Sequence, residues 1–285
     1  MNKRNKQIIL CILVAVCLVL LCWVIWENTA LEMNTYCISG ENLPDSFDDF
    51  TIAHVSDLHN AQMGKDNEKL LQILQNAQPD VIAITGDLVD SRRTDLHIAL
   101  SFAGEAVKIA PCYYVPGNHE SRIGEQYLQL KDALKDLGVI VLENEALQLY
   151  RDGDTITLAG VVDPSFYRKY LQSGESTAVQ SALDLLPLQE NDFTILLSHR
   201  PEFFESYVDS GVDLVLCGHA HGGQFRLPFV GGLYAPGQGL FPQYDSGLYT
   251  IENTNMVVSR GIGNSAFPLR FNNRPEVIIV TLNVE

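Results

Sequence analysis

The chain is short of positive charge. Its 285 residues hold 19 Lys and Arg against 35 Asp and Glu, a net charge of −16. Nucleic acid is gripped through clusters of Lys and Arg that displace counterions, and the chain beyond its N-terminal apolar run has none. No nucleic-acid partner is expected, nor adhesion to anionic lipid through a basic face. Cysteine is scarce and scattered. Cys11, Cys17 and Cys22 lie in one apolar run, Cys37 follows it, and Cys112 and Cys217 sit in apolar segments far apart. This is not a disulfide framework, so reduced, buried thiols are expected in the folded part. Leu21 before Cys22 and Val16 before Cys17 are too large for a lipobox. There is no internal repeat and no low-complexity tract.

Uncharged residues are concentrated at the start. Lys3, Arg4 and Lys6 precede a charge-free run from Ile8 to Trp26, Glu27 and Glu32 follow it, and the next basic residue is Lys65. At about 1.5 Å per residue the run nearly crosses a bilayer core. The positive-inside bias then gives a cytoplasmic segment 1–7, a transmembrane anchor 8–26, a polar stalk 27–49 and an extracytoplasmic catalytic domain 50–285 of a single-pass cell-membrane protein. A cleaved signal peptide competes. The run is long for one, however, and Asn28-Thr29-Ala30 is a poor cleavage site. Without the three basic residues before Ile8, 16 Lys and Arg remain against 35 acids, a net charge of −19.

Five of the seven histidines fall in short blocks. The blocks are Asp57-Leu58-His59, Gly86-Asp87, Gly117-Asn118-His119-Glu120, Ser198-His199 and Gly218-His219-Ala220-His221. Each follows an apolar run that reads as a buried strand. Hard carboxylate and amide oxygens mixed with imidazole nitrogens suit a pair of divalent cations. Ligands at neighbouring strand ends converge on one edge of a sheet, where α/β enzymes keep their sites. In His219-Ala220-His221 the two rings, two residues apart on an extended segment, point the same way.

These blocks resemble the calcineurin-like metallophosphoesterases, whose pattern is D-x-H, G-D, G-N-H-[DE], a later H, and G-H-x-H. The likeness runs from about Thr51 to the C-terminus. Continuation into Gly222-Gly223-Gln224 is similar to the membrane-anchored or exported bacterial branch. The resemblance implies a four-layer α/β/β/α sandwich of two mixed sheets. It implies that Asp57, His59 and His221 hold one metal, that Asn118, His199 and His219 hold the other, and that Asp87 bridges them. It also implies that His119 is a proton donor near the leaving group, which an imidazolium could serve. Glu120 could orient that ring or keep it protonated, or could be a solvated surface carboxylate. Purple acid phosphatases carry a tyrosine three residues after the bridging aspartate. Asp90 stands there, which favours a redox-inert pair, manganese or zinc ahead of iron.

Arg200, beside His199, and Arg226, after the glycine pair, are the candidate phosphate-gripping residues. The loop 222–246, with Phe225, Phe229, Tyr234, Phe241 and Tyr244, either walls the site or packs on itself. A second loop, 163–173, with Phe166, Tyr167, Arg168, Lys169 and Tyr170, is a candidate opposite wall. His54 is expected to be a structural neighbour and His97 an exposed helix residue. Strand and helix alternate through the first half, and strands dominate the tail. The resulting expectation is a two-metal phosphoesterase that cleaves a phosphodiester, phosphomonoester or pyrophosphate by attack of metal-bound hydroxide. Its substrate would be a phosphorylated small molecule, a lipid-linked compound or a cell-envelope polymer. The alternative is a non-catalytic metal-dependent scaffold of the same fold, which would typically have lost ligands that are intact here.

Overall fold

The computed structural model describes residues 2–167, 174–189, 191–264 and 267–284. The chain opens with α1 (Lys3–Thr29), a helix long and apolar enough to cross a membrane. The strands follow in order: β1 (Glu32–Ile38), β2 (Phe50–Val55), β3 (Val81–Thr85), β4 (Cys112–Val115), β5 (Ile140–Val141), β6 (Glu145–Arg151), β7 (Asp154–Gly160), β8 (Thr194–Leu197) and β9 (Leu214–Cys217). Four two-residue strands come next, β10 (Arg226–Leu227), β11 (Gly231–Gly232), β12 (Tyr234–Ala235) and β13 (Gly239–Leu240), then β14 (Gly247–Ile251), β15 (Thr254–Val258) and β16 (Glu276–Leu282). Five further helices are α2 (Glu68–Ala77), α3 (Leu96–Ala106), α4 (Glu125–Asp136), α5 (Glu175–Asp184) and α6 (Phe204–Asp209).

Two six-stranded mixed sheets result, in the orders β1-β16-β2-β3-β4-β5 and β14-β15-β9-β8-β7-β6. Side chains alternate across each strand, and this sorts the apolar residues into three cores. Ile82 and Ile84 of β3 face α2, α3 and α4 in one core, while Val81 and Ala83 turn into the space between the sheets. There they meet Leu158, Ile195, Leu197 and Leu214 of the second sheet. That sheet's other face packs Ala159, Leu196 and Val215 against α5 and α6. The order helices, sheet, sheet, helices is the four-layer α/β/β/α arrangement.

The expected stalk needs correction. Part of segment 27–49 is an edge strand: β1 pairs in parallel with β16 from Glu32↔Glu276 to Ile38↔Leu282. Its alternate residues face solvent, so its sequence looks polar although its backbone is in the sheet. The helix α1 also joins the domain directly. Glu27 is buried and its carboxylate accepts from Asn273 N–H at 3.0 Å. Arg274 lies over the Trp26 ring at 4.6 Å, and Trp23 meets Phe271 edge-on at 5.0 Å.

Candidate metal centre

Every ligand block sits just past the C-terminal end of a strand. Asp57 and His59 follow β2, Asp87 follows β3, and Asn118 and His119 follow β4 in the first sheet. His199 follows β8, and His219 and His221 follow β9, in the second. The parallel ends of both sheets thus meet at one edge of the sandwich. The turns there are tight. Asp57, His59, Asp87, His219 and His221 all have left-handed backbone, φ +46° to +66°. This costs an L-residue roughly 1–2 kcal/mol, and such strain clusters at functional sites. Neighbouring turns also approach closely. A Cβ on Gly218 would strike the Ser56 hydroxyl and the Asp57 carboxylate, and one on Gly117 would strike Asp87.

The side chains form overlapping groups, Asp57–His59–His221, His59–Asp87–His119 and Asp87–His199–His219, with one ligand-type atom of each member within 4.8 Å of the others. His59 Nε2 lies 3.2 Å from His221 Nε2, and Asp57 Oδ1 lies 3.4 Å from His221 Nε2. In the second set His199 Nε2 is 3.2 Å from both His219 Nδ1 and the amide of Asn118. Asp87 stands between the sets: its Oδ2 is 3.5 Å from His59 Nε2 and 3.3 Å from His199 Nε2. Two ligands about 2.0–2.2 Å from one cation sit roughly 3.0–3.5 Å apart. The spacing and the hard oxygen and imidazole donors therefore fit a pair of divalent cations.

Outer contacts fix the donor atoms. The His199 Nδ1–H donates to Thr85 O at 2.7 Å, turning Nε2 inward. Ser56 Oγ and the His219 N–H both donate to Asp57 Oδ2, at 2.7 and 3.0 Å. The His119 N–H donates to Asp87 Oδ1 at 2.8 Å, which leaves Oδ2 for the two ring sets. Burial raises the energy of the Asp87 carboxylate, but the imidazolium of His199 and then that of His59 outweigh it, and the group stays well below the usual carboxylate range. His199 mirrors this: burial pulls it down, Asp87 overrides, and it is held up at about 10. His221 is driven down to about 3, chiefly by burial. Without cations, a few imidazolium charges balance the carboxylates.

Two sequence expectations change here. Glu120 neither orients His119 nor faces solvent. It is fully buried and accepts from the backbone N–H groups of Asp87 (2.9 Å), Gly117 (2.8 Å) and Val89 (3.3 Å). It ties the Gly86-Asp87 turn to the Gly117-Asn118 turn. Burial, then the Asp87 charge, raise it to about 7. The imidazolium form of His119 is disfavoured in the metal-free chain. Ser91 N–H donates to its Nδ1 at 2.9 Å, and burial first of all lowers it to about 4. With Nδ1 accepting from Ser91, a neutral ring would carry its proton on Nε2. Asp90 is buried beside it, 3.6 Å from Nδ1.

The expected arginines are also spoken for. Arg200 is buried, with Asp163 (2.6 and 3.1 Å), Glu175 (3.0 Å) and Ser165 (2.7 Å) on its guanidinium. It supports Glu202, 3.5 Å away, whose carboxylate stands 3.9 Å from His219 Nε2. Arg226 pairs with Asp245 at 3.0 Å and donates to Gly222 O. Neither has its donors turned to the centre. The arginine that does adjoin the centre is Arg122, which is exposed. The Asn118 amide lies between its guanidinium, 3.0 and 3.2 Å from Nη2 and Nη1, and the imidazoles of His219 and His199, at 2.9 and 3.2 Å. Its signal was position: it lies one helical turn after Asn118.

The loop aromatics divide. Tyr244 is buried against Phe204 and Tyr249, whereas Phe229, Tyr234 and Phe241 are exposed. Phe166 packs on Tyr127, and Tyr167 accepts from Asn144, away from the ligand groups. Arg168, Lys169 and Tyr170 lie outside the described residues. His54 is fully buried and bonded to Thr85 Oγ1 at 2.8 Å, and His97 is exposed. Cys112 and Cys217 are buried free thiols, Cys112 pushed up to about 12 by burial.

The sequence profile of the calcineurin-like phosphoesterases matches residues 50–223, more than half of the chain. The chain belongs to the calcineurin-like phosphoesterases. Within this family it is similar to the metallophosphoesterase YkuE of Bacillus subtilis, 31% identical over 264 residues that cover 90% of this chain and 87% of that one. It is 31% identical over 210 residues to the phosphodiesterase YaeI of Escherichia coli, covering 72% and 71%. A Danio rerio protein described as a transmembrane protein with metallophosphoesterase domain shares 29% identity over 256 residues, 86% of this chain and 56% of that one. Among solved structures, TT1561 of Thermus thermophilus superposes with a TM-score of 0.51 at 16% identity, over 74% and 89% of the chains, which speaks to fold alone. As a calcineurin-like phosphoesterase the chain is a hydrolase of phosphoric ester bonds, with clustered His and Asp metal ligands.

Proposed function

We propose that the chain is a membrane-anchored two-metal phosphoesterase, its domain on the extracytoplasmic side, acting on a phosphodiester, phosphomonoester or pyrophosphate at or near the membrane. Asp57, His59 and His221 hold one divalent cation, Asn118, His199 and His219 the other, and Asp87 bridges. The observation that carries this is the single Asp87 oxygen facing an imidazole of each set at 3.5 and 3.3 Å. The bound pair supplies a water of lowered pKa and charge for the phosphoryl oxygens. Manganese or zinc suits the ligand set.

The chain's own groups do the rest. His119 donates a hydrogen bond from Nε2 to the leaving-group oxygen as a neutral ring, because Ser91 N–H occupies Nδ1. Arg122 grips a phosphate oxygen. The Asn118 oxygen can accept from Arg122 or ligate a cation beside the histidines, not both. With the oxygen turned to a cation, Arg122 faces an amide NH2 and swings to the nearest anion, the substrate. The Lys3, Arg4 and Lys6 cluster at the start of α1 supports a cytoplasmic N-terminus. The test is hydrolysis of mono-, di- and pyrophosphate esters by the full chain in detergent, stripped of metal and reloaded with manganese or zinc. Metal-dependent turnover of one class supports the assignment, and no turnover with two ions bound rejects it.

A further inference from the structure

Exposed apolar side chains are unevenly distributed. Among the described residues, sixteen large hydrophobics outside α1 are exposed, and nine of them lie in the short segments 226–241 and 267–271. Four are phenylalanines, Phe229 (109% exposed), Phe241 (59%), Phe267 (48%) and Phe271 (41%). The other seven are scattered singly, as on ordinary surfaces. A patch of this kind marks an interaction site.

The two segments form one surface. Phe225 packs on Phe267 at 5.0 Å, Arg226 N–H donates to Phe271 O at 2.9 Å, and Phe241 N–H donates to Leu233 O at 2.9 Å. This surface continues into the anchor through the Trp23–Phe271 contact and the Asn28 side chain, which accepts from Arg270 N–H at 2.8 Å. Its charge differs from the rest of the molecule. Residues 218–244 and 253–275 contain no Asp or Glu, in a chain with 35 of them. An acidic domain is repelled by anionic lipid everywhere else, and here the repulsion is removed.

The metal centre is tied to the same surface. Asn273 Nδ2 donates to His221 O at 2.7 Å, while its N–H is held by Glu27 of α1. A groove of ≈ 420 Å³ is lined by His59, Asn60, Arg93, Asp95, Asn264 and Pro268 among others, and Asn264 Nδ2 donates to Asn28 Oδ1 of α1 at 3.4 Å.

We infer that segments 226–241 and 267–271 form a rim that sinks into the bilayer interface around α1, so that the metal centre takes phosphoesters whose head group stands at the lipid surface while their apolar part stays in the membrane. Burial of apolar rings at that depth, with the groove opening beside the anchor, lets a lipid substrate reach His59 without leaving the bilayer. The lipid-substrate half rests on the phosphoesterase assignment. The seating of the rim does not.

The full chain in phosphatidylethanolamine–phosphatidylglycerol nanodiscs, photolabelled with a lipid-phase carbene precursor and mapped by mass spectrometry, tests the seating without any turnover. Peptides spanning 226–241 and 267–271 should label severalfold more than those with Tyr150 (78% exposed), on the edge strand β6, and Leu185 (83%), at the end of α5. Equal labelling overturns the inference. Labelling that falls as copies per disc rise also overturns it, because a second copy then covers the rim. A Phe229→Ser, Phe241→Ser double variant keeps the substrate half testable. Its KM for a phosphoester embedded in vesicles should rise severalfold, with kcat/KM on a soluble nitrophenyl ester unchanged. An equal loss on both substrates overturns that half and leaves the phosphoesterase assignment standing.

Discussion

Asp57, Glu120 and His199 are fully enclosed, while Phe229 and Leu240, on the segments that lead away from His221, are among the most exposed side chains outside α1. The enclosed residues lie in turns tied by hydrogen bonds that Asp57 and Glu120 accept from backbone N–H groups and that the His199 ring donates to Thr85 O. The exposed ones hang from two-residue strands and pack on little. The difference separates two tasks. Holding cations needs geometry good to fractions of an ångström and a dry, rigid setting. On the proposed function, choosing a substrate would fall to the rim and to one exposed arginine, where side chains change without disturbing the ligands.

The comparison breaks most severely at Asp87. Asp87→Asn keeps the volume and removes the one charge facing both ring sets. The purified full chain should lose at least one of two bound metals by elemental analysis, and nearly all hydrolysis. Two tightly held ions in this variant would sink the bridging role. His119→Ala comes next. It should retain both metals, since the ring's part is to donate a hydrogen bond. Removing one such donor typically costs ~10²–10³ in turnover, here on esters with alkoxide leaving groups. With a nitrophenyl ester, whose leaving group hardly needs the donor, the loss should be far smaller. Loss of metal, or a loss independent of the leaving group, places His119 elsewhere.

The two arginines sharpen the contrast between rigid centre and adaptable edge. Arg200→Ala strands the fully buried Asp163 carboxylate. Breaking a buried pair this way costs about 3–5 kcal/mol, which thermal unfolding will show as a lower Tm. Arg122→Ala should leave Tm unchanged and raise KM by roughly 10–100-fold, the worth of a charge-assisted hydrogen bond of about 1.5–3 kcal/mol. A stable Arg200→Ala with raised KM, or an Arg122→Ala with normal KM, would reverse these assignments.

The ligand blocks were legible because each is local. A strand delivers its chemistry within four residues of its end, and the apolar runs before the blocks announced the strands. Period-two patterning did the same for the cores, as Ile82 and Ile84 face helices while Val81 and Ala83 face the other sheet. What was not legible depended on partners distant in sequence. Nothing beside Arg200 announces Asp163 or Glu175, and nothing beside Glu120 reveals N–H groups from Asp87 and Val89. β1 hid for another reason: an edge strand with one wetted face has the composition of a linker, and its pairing with β16 spans almost the whole chain.

The smallest effect concerns protons that compete with the cations. In the metal-free chain Glu120 is raised from an ordinary 4.5 to about 7, by burial and then by Asp87. Its contribution to stability is therefore full below about 4.5 and is lost as pH climbs through about 7. Divalent cations beside Asp87 offset the smaller of these two causes and restore part of that contribution. His199, held up at about 10 by Asp87 against its burial, must give up a proton before a cation can bind. Cation affinity through this group thus increases with pH throughout the range below about 10. Both groups act in the same direction. The gain in Tm on adding manganese or zinc to the stripped full chain should grow steadily from pH 5 to pH 8. Without metal, Tm should instead fall over that range, as the Glu120 contribution is lost. A metal-induced gain that is flat or falls with pH would mean that Glu120 and His199 are not electrostatically bound to the cation pair through Asp87.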